Sequence, residues 1–597
     1  VPFDDLAAFL RCLEAQGELV RVRAPVDPVL EITEIAGRVV RQGGPALLFE
    51  SVRGAAFPLV INLFGSRRRL ELALGCPPAQ LGAELAAVVE RLTPPSLGGL
   101  WRSRQTLRRL LNGRVRPVRR APVQEVSEPP DLGRLPALQC WPGDGGRFLT
   151  LPLVLTQDPL TGRRNLGVYR LQVFGPDRTG LHWQIQKGGG FHYAQAERLG
   201  QPLPVAVVLG GDPALLLAAV APLPEPLDEL VVAGVLRGRP TPVVAAQTVP
   251  LLVPANAEFV LEGWAFPGER ALEGPFGDHF GHYSAAAPFP VLHLRRLTRR
   301  RRAIYPAAVV GRPPQEDTVL GEAMTEVFAP LVRLVQPEVR DLWAYAPAGF
   351  HNLLVAAVRV RYTKEALKAG LGLLGQGQLS LTKCLILVDE EVNPRDFGAV
   401  LRAIRAYFDP RQDFTLLPAT ALDTLDFTSG QMHLGSKMIL DATRGGTREP
   451  GLARPAVGGE EAPPPAPSWD PRTVAPMVRA WRLWADTLLA VRVESHARAV
   501  LEQLVQACPV GGPSLIVAVS PDVDLHDDTD LLWGIFTRFD PARDVLFREV
   551  RWRGAWPEHH GPLAIDATWK PGYPEPLAMS DEVRRLVDRR WREYWST

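Results

Sequence analysis

The chain has 597 residues, 46% of them apolar and 22% charged, and its 67 basic residues nearly balance 65 acidic ones. At roughly 100–200 residues per domain this is a multidomain globular protein with full cores. A formal charge of +2 excludes nucleic acid or an anionic membrane as the main partner.

In chain order, residues 4–16 are predicted helical: Leu6, Phe9, Leu10 and Leu13 share a face, Asp4 or Asp5 caps the start, and Gly17 ends the run. An alternating strand, ELVRVRAPV, follows, and helix and strand patterns continue through a first α/β domain, 1–114. Over 115–310 short β-rich runs dominate, broken by Gly, Pro and Asp, which predicts a barrel or sandwich. Helices and strands alternate again over 311–448. A Pro/Gly-rich joint at 449–470 reads as a flexible or extended linker. The last stretch, 471–597, repeats the one before the joint. CLILVDEEV…FDPRQD aligns without a gap to SLIVAVSPDV…FDPARD, and Asp441-Ala-Thr443 recurs as Asp566-Ala-Thr568. Because polar positions match as well as apolar ones, duplication is preferred over two similar units.

Five widely spaced cysteines without a C-x-x-C pair fit reduced thiols rather than a disulfide framework or zinc ribbon. No run of about 20 apolar residues could span a membrane. VPFDDLAAFL lacks the basic and apolar regions of a signal peptide, so a cytoplasmic location is expected, with at most peripheral membrane association.

Three stretches carry candidate chemistry. In Glu273-Gly-Pro-Phe-Gly-Asp278, two carboxylates flank a turn that no helix can cross. Facing one partly dry cavity, such acids push each other's pKa apart, so one is expected to hold a proton near neutral pH. A solvated turn with two surface acids is the plain alternative. In Asn165-Leu-Gly-Val-Tyr-Arg170, an arginine is the lone charge of an alternating segment. Its planar fork suits a carboxylate, unless it merely lies on a wet face. In His182-Trp-Gln-Ile-Gln-Lys187-Gly188-Gly-Gly, backbone N–H groups of a glycine loop could wrap an anion.

Together, and in this order, these stretches resemble the UbiD decarboxylase family over nearly the whole chain, through His351-Asn352, Lys383 and Ser436-Lys437. The resemblance implies an α+β multidomain fold: an N-terminal α/β domain, a central flavin-reductase-like split β-barrel, and a C-terminal α/β domain, here with a second copy. It implies prenylated FMN, Mn²⁺ or another divalent cation, and often K⁺. By position, Arg170, Glu273 and Asp278 are the catalytic residues. Val168, Tyr169, Arg170, His182, Trp183, Gln184, Lys187, Gly188 and Lys383 match cofactor contacts, and Asn165 and Glu229 match metal ligands. The family's metal-binding His near Lys187 is missing, which leaves the third ligand open, with His182 a guess.

The implied reaction is reversible, non-oxidative decarboxylation of an aromatic or α,β-unsaturated acid, with family analogy favouring quinone biosynthesis. A flavin prenyltransferase would supply the cofactor, and a homo-oligomer is expected. An FMN-dependent reductase and a non-catalytic member of a carboxylase complex are the rivals. Three other signals are set aside. Gly370-Leu-Gly372-Leu-Leu-Gly375 follows a helical rather than a strand pattern, so it is no dinucleotide fingerprint. Arg295 to Arg302 read as a strand end. His559-His560 read as an exposed loop.

Overall fold

The computed structural model describes residues 3–91, 97–184, 187–223, 227–445 and 469–595. Its internal contacts divide the chain into two compact units. Unit 1 comprises Val1–Met324 together with Glu575–Thr597, and unit 2 is Thr325–Pro574. The expected joint at 449–470 lies, except for its last two residues, outside the described residues. The expected C-terminal unit, 471–597, is divided: from Glu575 onward the chain belongs to unit 1.

Unit 1 opens with α1 (Leu6–Ala15), capped by the Asp5 carboxylate on the Ala8 N–H at 2.8 Å, and Leu6, Phe9, Leu10 and Leu13 are its buried face. β1 (Leu19–Val22), α2 (Glu31–Arg41), β2 (Ala46–Phe49) and β3 (Leu59–Ile61) follow, and the three strands form a sheet with Tyr305–Pro306 at its edge.

The site is built on a second, antiparallel sheet. It contains β4 (Val126–Glu128), β5 (Leu153–Gln157), β6 (Arg164–Val168), β7 (Arg178–Gly180), β8 (Leu203–Leu209), β9 (Phe259–Glu273) and β10 (Ala287–Arg299). Their order is β7-β10-β9-β8-β5-β6, with β4 also on β10. β8, LPVAVVL, is buried at all but one position, so both faces of the sheet are covered here. Helices α3 (Gly188–Arg198) and α4 (Glu229–Arg237) are interspersed among these strands, α4 capped by Asp228. The long β9–β10 hairpin shifts register at Glu262/Gly263 and Ala265/Arg270. A side chain at Gly263 would lie 2.3 Å from the His293 carbonyl, so the strands close tightly there. The arginine-rich stretch is the end of β10 and the turn after it, as expected.

Unit 2 holds two five-stranded sheets of identical plan. The first contains β11 (Val339–Ala344), β12 (Leu353–Val358), β13 (Cys384–Asp389), β14 (Phe414–Ala421) and β15 (Leu434–Ala442), in order β11-β12-β13-β15-β14. Helices α5 (Glu365–Leu374), α6 (Phe397–Tyr407) and α7 (Pro410–Asp413) connect them. The second contains β16 (Ala480–Trp484), β17 (Leu488–Arg492), β18 (Leu515–Val519), β19 (Val545–Leu546) and, after the hairpin β20 (Glu549–Arg553) and β21 (Trp556–His560), β22 (Leu563–Ala567). Its order is β16-β17-β18-β22-β19, with helices α8 (Ala497–Ala507), α9 (Asp528–Phe536) and α10 (Pro541–Asp544). After unit 2, α11 (Asp581–Arg590) completes unit 1.

The glycines of Gly370–Gly375 lie within and at the end of α5, which removes any dinucleotide turn. His559 and His560 are half-buried in β21, and His559 packs edge-on against Phe414 at 4.9 Å; the exposed loop expected there is a strand. Among the described residues no helix is long and apolar enough to cross a membrane.

Candidate active site

Two sheet ends bring the predicted residues of unit 1 together. β6 stops at Val168, and the chain then turns Tyr169 and Arg170 inward, both 8% exposed. β9 stops at Glu273. A tight hairpin follows, in which Phe276-Gly277 pair with Tyr283-Ser284 and the Asp278 N–H donates to the His282 carbonyl at 3.1 Å.

Arg170 is the hub. Its Nε donates to Glu273 Oε1 at 3.1 Å, one Nη donates to Asp278 Oδ2, and the other donates to Ser284 Oγ at 2.9 Å. The guanidinium lies 4.6 Å from the centre of the Phe276 ring. On the far oxygen of Glu273 sits His182 Nδ1, at 2.6 Å. On the far oxygen of Asp278 sits His279 Nδ1, at 2.8 Å. Glu273 is fully buried and Asp278 is 9% exposed, so the solvated-turn alternative is excluded.

The charge pattern corrects one expectation. Burial pushes the Glu273 carboxyl up, but the Arg170 charge and the His182 hydrogen bond outweigh it and hold it below the carboxylate range. At Asp278 burial again acts upward, and the His279 hydrogen bond with the Arg170 charge brings it well below that range. Both acids are therefore ionised in this state, because one shared cation separates them, and neither keeps the proton foreseen for one of them. His182 is pushed down by burial and then by the Arg170 charge, against the pull of Glu273.

Several groups that brace the hairpin escaped the sequence reading. Asp144 Oδ1 accepts the Gly277 N–H at 2.7 Å, while Oδ2 accepts those of Cys140 at 2.9 Å and Trp141 at 2.8 Å. Gln172 accepts the Gly274 N–H at 2.7 Å and donates to the Gly145 carbonyl at 2.7 Å. Ser284 Oγ, besides meeting Arg170, donates to the Phe276 carbonyl at 3.2 Å. Only Asp144 had a local signal, in Trp141-Pro-Gly-Asp144-Gly, a turn rich in Pro, Gly and Asp.

His182 joins this hub to the other cofactor residues expected in unit 1. Trp183 Nε1 is a buried donor, and His182 Nε2, on a neutral ring whose Nδ1–H meets Glu273, a buried acceptor, and neither has a hydrogen-bond partner among the described residues. Buried polar atoms of this kind mark a place where a bound group can satisfy them. Lys187 precedes α3, whose first turn is Gly188-Gly189-Gly190, so N–H groups without a partner inside the helix begin there. A side chain at Gly188 would strike Asn165 Oδ1 at 2.2 Å, and one at Gly189 would strike Trp183 Nε1 at 2.5 Å. Tyr169 Oη accepts the Gly189 N–H at 3.2 Å and the Asn165 amide at 3.3 Å. Val168 and Gln184 are half-buried beside them in sequence. These residues fit a planar, anionic cofactor.

For a metal, Glu229 in the first turn of α4 accepts the Leu166 N–H on Oε2 at 2.9 Å, which brings its carboxylate to the strand carrying Asn165. Burial pushes Glu229 up to about 7. Two oxygen ligands thus fit a hard divalent ion. No cluster of three His, Cys, Asp or Glu forms among the described residues, and Glu273 engages only the Nδ1 of His182. Lys383 belongs to unit 2, where it is fully buried 2.8 Å from Asp426.

Comparison with known proteins shows the family. Family models for 3-octaprenyl-4-hydroxybenzoate carboxy-lyase match three regions. The N-terminal domain model matches 10–89, the Rift-related domain 115–313, and the C-terminal domain 318–442 and again 478–554. The fold and site thus define a carboxy-lyase, and the chain belongs to the UbiD family. A Chlamydia pneumoniae relative, named as a component of a 4-hydroxybenzoate decarboxylase, is 38% identical over 99% of this chain and 98% of its own. An Archaeoglobus fulgidus relative is 42% identical over 74% of this chain and 92% of its own. Vanillic acid decarboxylase of Sedimentibacter hydroxybenzoicus superposes with TM-score 0.68 at 28% identity, over 77% of this chain and 96% of its own. HmfF of Pelotomaculum thermopropionicum, solved with FMN, superposes with TM-score 0.62 at 32% identity, over 76% and 98%. None of these favours the reductase or the non-catalytic rival.

Proposed function

We propose that the protein decarboxylates, reversibly and without net oxidation, an aromatic or α,β-unsaturated carboxylic acid, using prenylated FMN held by the central sheet. The observation that carries this reading is one guanidinium shared by two buried carboxylates, Arg170 with Glu273 and Asp278. When bound, the modified flavin supplies the electron sink that lets CO₂ leave, a task no side chain can perform.

The protein's own groups do the rest. Arg170 receives the substrate carboxylate by exchanging it for Asp278, while Glu273 and Ser284 keep the guanidinium plane fixed. Losing Arg170 removes one of the two groups that hold Asp278 ionised, the His279 hydrogen bond being the other, so its carboxyl rises and takes up a proton from solvent as the substrate enters. Asp278 then delivers that proton to the carbon that has lost CO₂. The exchange reconciles an ionised resting pair with a need for an acid. The buried surroundings exclude water that would compete for the proton.

Val168, Tyr169, His182, Trp183, Gln184, Lys187 and Gly188 would contact the cofactor, and Asn165 and Glu229 would hold Mn²⁺ or a similar ion; the phosphate contact expected of Lys383 is not carried forward, because its ammonium is buried against Asp426 in unit 2. A split-barrel description of the central domain is supported by its antiparallel sheet and the register shifts between β9 and β10. A flavin prenyltransferase as supplier, K⁺, self-association and a quinone pathway belong to the same reading. The relative named for 4-hydroxybenzoate makes that acid the first substrate to try.

The test is co-expression with a flavin prenyltransferase, followed by CO₂ release from 4-hydroxybenzoate and a panel of aryl and acrylic acids. Asp278→Asn should lose about 10²–10⁴ in turnover while retaining flavin absorbance. A fully active Asp278→Asn protein would end the assignment.

A further inference from the structure

The internal contacts of unit 2 indicate what the repeated sheet does. The two sheets agree strand by strand: antiparallel, parallel, parallel, antiparallel. They agree in their caps, with Asp396 and Asp527 opening α6 and α9, and Asp409 and Asp540 opening α7 and α10. A left-handed residue precedes α5 and α8 alike, Lys364 at φ 61° and His496 at φ 56°.

The charged positions do not agree. Cys384 pairs with Met438 as Leu515 pairs with Leu563, so Lys383 and Lys437 correspond to Ser514 and Pro562. By the same register His351 and Asn352 correspond to Asp486 and Thr487. The second copy has kept the fold and lost the first copy's buried lysines.

The copies share one apolar core. Phe397, Val400 and Leu401 of the first copy are in it with Trp533, Phe536 and Val517 of the second. The contacts are two-way. Phe397 of α6 stacks on Trp484 of the second copy at 5.3 Å, and Arg405 donates to its Asp486 carbonyl at 2.7 Å. In return α9 packs on Ala346–Ala348 of the first copy, and α10 on β14 and β15. This is the self-complementary pattern of a two-fold interface, formed inside one chain.

The second copy also reaches the first copy's polar cluster. Phe539 places its ring 5.0 Å from Lys383 Nζ, and Asp540 accepts the Ser436 N–H at 3.0 Å and its hydroxyl at 2.7 Å. Residues 422–433 carry Asp423, 2.5 Å from His351, and Asp426, 2.8 Å from Lys383. Arg543 donates to the Ser429 carbonyl of that loop at 2.7 Å, and Tyr573 to the Thr428 carbonyl at 3.2 Å.

We infer that the second copy is a built-in partner: a repeat without the lysines, which covers the first copy's dimer-like face in cis and fastens the loop bearing Asp423 and Asp426. The partner this face fits is a second copy of the same fold, and the chain carries it.

Hydrogen exchange on the full-length protein tests this. In Arg543→Ala/Tyr573→Phe, amides of 424–434 should exchange at least tenfold faster, with β17 and β18 unchanged. In the unaltered protein, protection of β15 and α10 should be independent of protein concentration over a hundredfold range. An unmoved loop in the double variant would overturn the fastening role. Protection that climbs with concentration would show that another chain closes the face, and would overturn the cis arrangement.

Discussion

Arg170 holds two carboxylates that would otherwise repel each other in a buried place, and removing it shows what it contributes. Arg170→Ala should cost about 3–5 kcal/mol, the usual penalty for stripping one partner from a buried charged group. In the native protein both carboxyls lie below their ordinary values, so their stabilisation is complete above about pH 4 and lost as pH falls below it. Without the cation only the His182 and His279 hydrogen bonds oppose burial, so both carboxyls rise from their native positions and the stabilisation they give above about pH 4 shrinks. Urea unfolding at pH 3 and pH 8 should therefore find the gap between variant and unaltered protein wider at pH 8. Glu229 acts in the opposite sense to the native pair. Raised to about 7, it makes the metal-free protein lose stability between about pH 4.5 and 7. The ion proposed for Glu229, Mn²⁺ at 100 times its Kd, should return about 2.7 kcal/mol, and at one fixed concentration its thermal shift should be larger at pH 8 than at pH 5. Glu229→Gln should abolish that difference. The lone arginine and the acids split by Gly-Pro were legible because each breaks the pattern around it. Their ionisation was not, since the cation that sets it lies a hundred residues away in sequence.

At the scale of elements, the hairpin after β9 works because other segments hold its backbone. Asp144 alone satisfies three N–H groups, one of them Gly277, adjacent to Asp278. Each buried donor left without an acceptor costs about 1–3 kcal/mol. Asp144→Ala should therefore lower the melting temperature by several degrees. It should also reduce kcat more than KM, because Asp278 loses its position while Arg170 still binds carboxylate. Equal losses in both would mean that Asp144 serves substrate binding instead. The strands, helices and turns that frame this hairpin follow from periodicity and from Gly and Pro placement, so they could be read directly. The clamps could not, because an acceptor for a distant backbone N–H leaves no mark in periodicity. The half-buried strand at His559 was missed for a related reason: two histidines between Pro and Gly look like a loop until Phe414 and Phe547 cover one of them.

On the scale of the whole molecule, duplication was visible because capping aspartates recur at one offset and an Asp-x-Thr signature closes each copy, and caps are fixed by backbone geometry rather than by apolar content. The return of the last residues to unit 1 was not visible. α11 is dominated by charge and buries only Val587, which in sequence resembles a solvated surface helix. Its anchors are polar and specific. Arg590 and the Tyr594 hydroxyl, the latter at 2.7 Å, both meet Glu31 Oε1, and Arg38 meets Asp588 at 2.6 Å. Leu577, Met579 and Tyr594 are buried beside them. Fully burying one large apolar side chain contributes about 1.5–3 kcal/mol, and Glu31 would be left buried without its cation. Ending the chain after Pro574 should therefore destabilise unit 1 while β13 and β18 in unit 2 keep their hydrogen-exchange protection. The strands to follow are β5, β8 and β9. Tyr594→Ala is the milder version and should act in the same direction. If β5, β8 and β9 remain as protected in the truncated chain as in the whole one, the tail is not part of the unit that carries Arg170.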